Sequence, residues 1–148
     1  MAKLFSRRTT AIVAVAAASM LVLSACSSGS KGGGDKVGVT LITKDTVNPF
    51  FVAMRDGAQK KADELGVDLT LAAGKEEGDA AGQIAAIENA VSAKHAGILI
   101  TPTSAEVNDA ITKAREAGLF VIALDTPTDP ASIVDITFAT DTCAAGEA

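Results

Sequence analysis

The residues of this chain best equipped for chemistry fall in four short polar segments: Lys44 with Asn48-Pro49-Phe50-Phe51, Thr101-Pro102-Thr103, Asp125-Thr126-Pro127 and Thr140-Asp141. Each segment carries hydrogen-bonding groups, and the first also carries two adjacent aromatics. The chain has only five Phe and neither Trp nor Tyr, so a Phe pair beside polar loop residues is a concentrated feature. A polyhydroxylated ligand suits such a set. Its C–H faces pack on an aromatic ring, and its vicinal hydroxyls donate to carboxylates. That is recognition chemistry rather than bond breaking.

Folding has to bring these segments together, and the hydrophobic pattern supplies a way. The run VGVTLIT at 37–43 is apolar and β-branched, as a buried strand is. Asn48-Pro49 then forces a turn, and Pro suits the first turn of the helix that follows. Phe51, Met54, Ala58, Ala62 and Leu65 recur at helical spacing, and Gly66 closes that helix. Further strands are expected at 67–72, 97–101, 120–124 and 133–139. Between them Asp79 caps a helix with Ile84, Ile87 and Val91 inward. Ser104 caps another over 105–117, with Val107, Ile111 and Ala114 inward and Gly118 as its stop. Continuous apolar strands joined by amphipathic helices imply an α/β fold, a parallel sheet with helices on both faces. Open parallel sheets bind ligands beyond the carboxyl ends of their strands, and all four polar segments follow strands.

Other roles compete for the same residues. Phe51 begins the apolar helix stripe, so it is also a core candidate. Asp125, before Thr-Pro, also fits a turn. Lys44 and Asp45 also read as solvated loop charges, as does the Lys75-Glu76-Glu77 run. His95, the only histidine, stands at a helix end, where a positive charge complements the dipole. No metal site has enough ligands, and nothing has the spacing of a nucleophilic triad. A dinucleotide enzyme would need a Gly-rich turn after the first strand, where only Gly38 occurs, inside the strand itself. The expectation is a binding protein, not an enzyme, with no cofactor and no metal.

The amino-terminal end points to export. Lys3, Arg7 and Arg8 precede an apolar stretch at 11–22 that is too short for a good membrane span. It ends in Leu23-Ser24-Ala25-Cys26, which resembles the lipobox of bacterial lipoproteins. That resemblance implies cleavage of residues 1–25, acylation of Cys26 and a lipid anchor to the membrane. Residues 26–36 then read as a lipidated Cys and a flexible Gly/Ser tether. Losing three of the 13 basic residues leaves ten against 18 acids, a net charge of −8. Such a balance argues against a nucleic-acid partner and against a polybasic membrane patch. Only Cys143 remains as a thiol, so no internal disulfide is expected.

From residue 37 to 146 the chain resembles the sugar-binding lipoproteins of ABC importers, in the ribose/fructose-type branch of the periplasmic binding proteins. The matching residues include Asn48-Pro49-Phe50-Phe51, Asp56-Gly57-Ala58, Ile87-Glu88-Asn89, Ile100-Thr101-Pro102, Leu124-Asp125, Thr140-Asp141 and Ala145-Gly146. The resemblance implies a sugar-binding set. Asn48 meets hydroxyls, Phe50 and Phe51 stack on the ring, and Asp125 supplies a carboxylate. Lys44, Thr101 and Thr140 add polar contacts. It implies further a monosaccharide ligand, an ABC permease as partner, and a location at the outer face of the cell membrane or in the periplasm. A sugar-sensing lipoprotein for a membrane receptor would use the same site. A repressor's sugar-responsive lobe would need a DNA-binding segment where this chain has a lipobox.

Two departures from the family pattern stand out. Thr142, followed by Cys143, replaces the Asn usual after Thr-Asp. The resemblance also implies that 37–141 is an amino-terminal lobe and 142–148 the start of a crossover to a second lobe that the chain lacks. A truncated binder, or a remnant without function, is expected on that ground to hold sugar weakly, because closure of two lobes around the ligand is how the family captures it.

Overall fold

The computed structural model describes residues 36–147. Gly38–Thr43 forms β1, whose residues from Thr40 onward are buried because the strand lies inside the sheet. Helix α1, Pro49–Leu65, opens with Pro in its first turn. It ends at Gly66, whose φ of 70° lies in the left-handed region that glycine enters without strain. Strand β2, Asp68–Ala73, follows at the sheet edge. Helix α2, Ala80–Ser92, is capped by Asp79, whose Oδ1 accepts from the Gly82 backbone N–H at 2.9 Å. A Cβ at Gly82 would stand 2.5 Å from the other Asp79 oxygen, so this cap requires the glycine.

Strand β3, Gly97–Ile100, leads through a 3₁₀ turn at Ala105–Val107 into helix α3, Asn108–Glu116. Ser104 caps that entry, its Oγ accepting from the Glu106 N–H at 3.3 Å. Strand β4, Phe120–Leu124, and a short β5, Ile136–Phe138, complete the sheet, and helix α4 covers Thr142–Glu147. All pairings are parallel, in the order β2-β1-β3-β4-β5. Between β1 and β3 the chain switches the side on which it adds strands. Ligands of doubly wound sheets bind at such a switch point.

Helices α2 and α3 share one face of the sheet. Ile87, Ala90, Val107, Ile111 and Ala114 there close on Ile42, Ile98, Ile100, Val121 and Ala123. Helix α1 lies against β1 and β2 and buries Phe51 and Ala62. Helices therefore flank the sheet on both sides, but unevenly. Residues alternate faces along a strand, so Phe120, Ile122 and Leu124 of β4 point away from Val121 and Ala123. Register places Ile136 and Phe138 of β5 beside Ile122 and Leu124. Along that strip Phe120 is 49% exposed and Phe138 61%.

Three sequence expectations need adjustment. The strand expected over 133–139 is only Ile136–Phe138, because Ala131–Ile133 winds into a 3₁₀ turn and Val134 packs into the core. The helix expected over 105–117 starts as that first 3₁₀ turn. His95 is half-buried rather than standing free in solvent at a helix end. Its ring lies against Gly38, and its Nδ1 is 2.7 Å from the Thr40 hydroxyl. The leader and the lipidation site at Cys26 lie outside the described residues.

Candidate functional site

Strand register puts the exits of β1, β3, β4 and β5 side by side on one edge of the sheet. The residues expected to contact a sugar, Lys44, Asn48, Phe50, Phe51, Thr101, Asp125 and Thr140, lie on or beside that edge. The loop after β1 is organised by Asp45. Its Oδ1 accepts from the backbone N–H of Val47 at 2.8 Å and of Asn48 at 2.7 Å, a tight turn closed by a carboxylate. Asp45 is buried rather than a solvated loop charge. The Thr43 hydroxyl donates to the Asp45 carbonyl at 2.9 Å and fixes the start of the turn.

Asn48 caps α1, its Oδ1 accepting from the Phe50 N–H at 3.0 Å. That bond uses one carbonyl lone pair and leaves the amide NH₂ as a donor toward the rim. Phe50 is open to solvent, whereas Phe51 is buried beneath it. Lys44 reaches Glu77 in the loop after β2, at 3.8 Å.

Two of the expected sugar contacts are turned inward. Phe51 is a core residue, because its position starts the buried stripe of α1. Thr101 is fully buried and its hydroxyl donates to the Ile42 carbonyl at 3.4 Å, so it braces β3 against β1. Asp125 is exposed just beyond β4 with φ 64°, its N–H donating to the Phe138 carbonyl at 2.7 Å. The Thr126 hydroxyl donates to its carboxylate at 3.2 Å. Thr140 is exposed in the link between β5 and α4. A small cleft of about 170 Å³ lies between the β3 and β4 exits, lined by Pro102, Thr103, Asn108, Thr126 and Pro127 among others.

Sequence reasoning passed over one residue at the centre of this edge. Gln83 of α2 is fully buried, and its Nε2 donates to the carbonyls of Thr43 at 3.1 Å and Thr101 at 2.9 Å. Its Oε1 accepts from the Thr103 N–H at 3.0 Å. The Thr103 hydroxyl in turn accepts from the Gly78 N–H at 2.7 Å. Asp79, beside that glycine, has its carboxyl held below the usual carboxylate range by the backbone N–H groups of Lys75 and Gly82. Among the described residues no cluster of His, Cys, Asp and Glu could hold a metal ion.

A polar rim at the switch point of a parallel sheet can grip a small hydroxylated molecule from one side, and known proteins with this arrangement exist. Residues 37–148 match the family model described as a periplasmic binding protein domain. The ribose import binding protein of Haemophilus influenzae is 38% identical over 115 residues, which cover 77% of this chain and 37% of that protein. The D-ribose/D-allose-binding protein of Pseudomonas aeruginosa is 30% identical over 134 residues, 88% of this chain and 41% of that one. A carbohydrate transporter solute binding protein from Agrobacterium radiobacter, solved in complex with D-arabinose, superposes with a TM-score of 0.70 at 29% identity. The match covers 77% of this chain and 38% of that one. The chain thus spans about two fifths of the length of these relatives. With a family model matched from residue 37 onward and the five-stranded parallel sheet in place, this chain belongs to the periplasmic binding proteins.

Proposed function

We propose that this chain carries the sugar-contacting edge of the substrate-binding component of an ABC-type monosaccharide importer, with a ribose- or fructose-like ligand. In this reading Asn48 and Asp125 hydrogen-bond the sugar hydroxyls, Phe50 packs on the ring's C–H face, and Lys44 and Thr140 add polar contacts at the periphery. Phe51 and Thr101 act from beneath, holding the α1 start and the β3 exit. The protein works without catalysis and hands its ligand to a membrane permease. Cys26 carries the acyl chains that hold it at the outer face of the cell membrane.

One observation carries the reading: the exits of β1, β3, β4 and β5 lie along a single polar edge, with the exposed Phe50 beside the point where strand order reverses. The ligands in the names of its relatives, ribose and allose among them, belong to the same chemical class.

A rim that holds a sugar from one side leaves much of it in water, so weak affinity is expected. A Kd near millimolar corresponds to about 4 kcal/mol. Amide NMR titration of the Cys26→Ser chain with D-ribose, D-allose and D-fructose tests this. Shifts confined to residues around Lys44, Asn48, Phe50, Asp125 and Thr140 are expected. A spectrum unmoved by all three sugars at about 100 mM overturns the proposal. Membrane fractionation of wild type against Cys26→Ser tests the anchor, with release of the variant expected.

A further inference from the structure

Gln83 is fully buried beneath the rim, yet the chain segments that leave β1 and β3 at the switch point are both bonded to it. Its amide nitrogen bonds the last carbonyl of β1, at Thr43, and the first carbonyl beyond β3, at Thr101. Its amide oxygen receives the Thr103 N–H. One fully buried side chain thus ties three backbone groups, two from strands that belong to opposite arms of the sheet.

Two hydrogen-bonded paths run from it to the rim. The first goes through Thr43, whose hydroxyl donates to the Asp45 carbonyl; the Asp45 carboxylate then receives the Asn48 N–H. The second goes through Thr103, whose hydroxyl receives the Gly78 N–H in the loop that also carries Glu77, the partner of Lys44. The network thus connects Gln83 to Asn48 on one side and to the loop that holds the partner of Lys44 on the other.

We infer that Gln83 is a positioning residue for ligand binding, setting the spacing of the β1 and β3 exits and so the reach of Asn48 and Lys44. The inference rests on the sugar-binding reading for its functional half, while its structural half stands on the hydrogen bonds alone. An apolar side chain would remove the Gln83 partner of the Thr101 carbonyl and of the Thr103 N–H, and would leave the Thr43 carbonyl only the Gly74 N–H at 3.3 Å. Asn in its place is one methylene too short to span both strands. Glu offers no N–H donor, and its ionised form faces two carbonyl oxygens.

The test compares Gln83→Leu with Ile87→Val, a core truncation one turn further along α2 that removes none of the switch point's hydrogen bonds. Amide hydrogen exchange and sugar titration are measured on both in the Cys26→Ser background. In Gln83→Leu, faster exchange at Thr103 and Asn48 is expected, together with sugar affinity lowered about tenfold relative to the parent. Ile87→Val is expected to lose stability and keep parental affinity. Equal affinity losses in the two variants would make Gln83 a stability residue only and overturn the inference, as would unchanged exchange at Thr103 and Asn48. If the parent itself binds no sugar, the functional reading fails. The exchange data then still decide the structural half. Should Gln83→Leu not fold, Gln83→Asn with the same two measurements takes its place, and parental behaviour there overturns the inference.

Discussion

Phe50 and Phe51 meet edge to face, their ring centroids 5.3 Å apart and their planes at 71°. The neighbours face different surroundings: Phe50 is 53% exposed and Phe51 is 4%. Helical geometry makes this so, since successive residues point about 100° apart and only one can follow the stripe that faces the sheet. Their truncations should separate accordingly. Phe51→Ala is expected to cost about 3–5 kcal/mol of stability through the cavity it leaves. Phe50→Ala should cost about 0.5–1.5 kcal/mol through the lost ring pair while removing the ring face offered to a sugar. Urea unfolding alongside sugar titration distinguishes them, and comparable unfolding midpoints for the two variants would contradict the assignment.

Asp125 occupies a left-handed backbone position, φ 64°, at the end of β4. A residue with a Cβ pays for that conformation, about 1–2 kcal/mol for an ordinary side chain, and Asp is among the types that tolerate it best. Glycine would adopt it freely. Asp125→Gly should therefore be at least as stable as wild type, whereas Asp125→Ala should fall below it by about 1 kcal/mol. Both lose the carboxylate, so both should lose sugar response. Retained binding in a well-folded Asp125→Gly protein would remove Asp125 from the site.

Much of the architecture could be read from local signals. Gly66 and Gly118 both stop helices with positive φ, and Asp79 and Ser104 both cap, because each of these roles depends on a few neighbouring residues. Strand ends slipped by one to three residues where no such punctuation exists. The supports of the rim were harder. Gln83 bonds groups 18 to 40 residues away, a relationship that no local pattern encodes. A signal was present, though: Gln83 is a polar residue three places after Ala80 and four before Ile87, on the buried stripe of α2. A polar residue in such a stripe needs buried partners. Asp45 likewise announces itself only by position, two and three residues before the N–H groups it accepts. Phe51 illustrates the converse, a residue for which helix periodicity outweighed proximity to the loop.

The strip along β4 and β5 makes a prediction about surface chemistry. Phe120, Ile136 and Phe138 expose apolar area side by side, and among the described residues no helix lies over them. Contiguous apolar surface of this kind binds amphiphilic dyes. The folded protein should enhance anilinonaphthalene sulfonate fluorescence under native conditions, and Phe138→Ser should reduce it with little change in stability, because Phe138 is mostly exposed. Fluorescence equal to that of the free dye would mean that the strip is covered in solution.

Asp135 joins three elements by its two oxygens. Oδ1 accepts from the Arg115 guanidinium at 2.7 Å and Oδ2 from the Val121 backbone N–H at 2.8 Å. Arg115 adds a bond to the Ser132 carbonyl at 2.8 Å, so α3, β4 and the turn before β5 are held at one point. The Arg115 hydrogen bond, followed by that of Val121, holds the Asp135 carboxyl below the usual carboxylate range. A carboxyl with a depressed folded pKa binds its proton more readily when unfolded, near pH 3.9. Its stabilising contribution is therefore complete above that value and declines as the pH falls through the lower folded pKa. Asp135→Asn removes the charge and keeps the shape. The stability difference between wild type and Asp135→Asn should be constant from pH 7 to about 5 and should shrink below about pH 4. Urea unfolding at a series of pH values measures it. A difference that stays the same or widens toward pH 2.5 would show that the charge of Asp135 contributes nothing to holding α3 on the sheet.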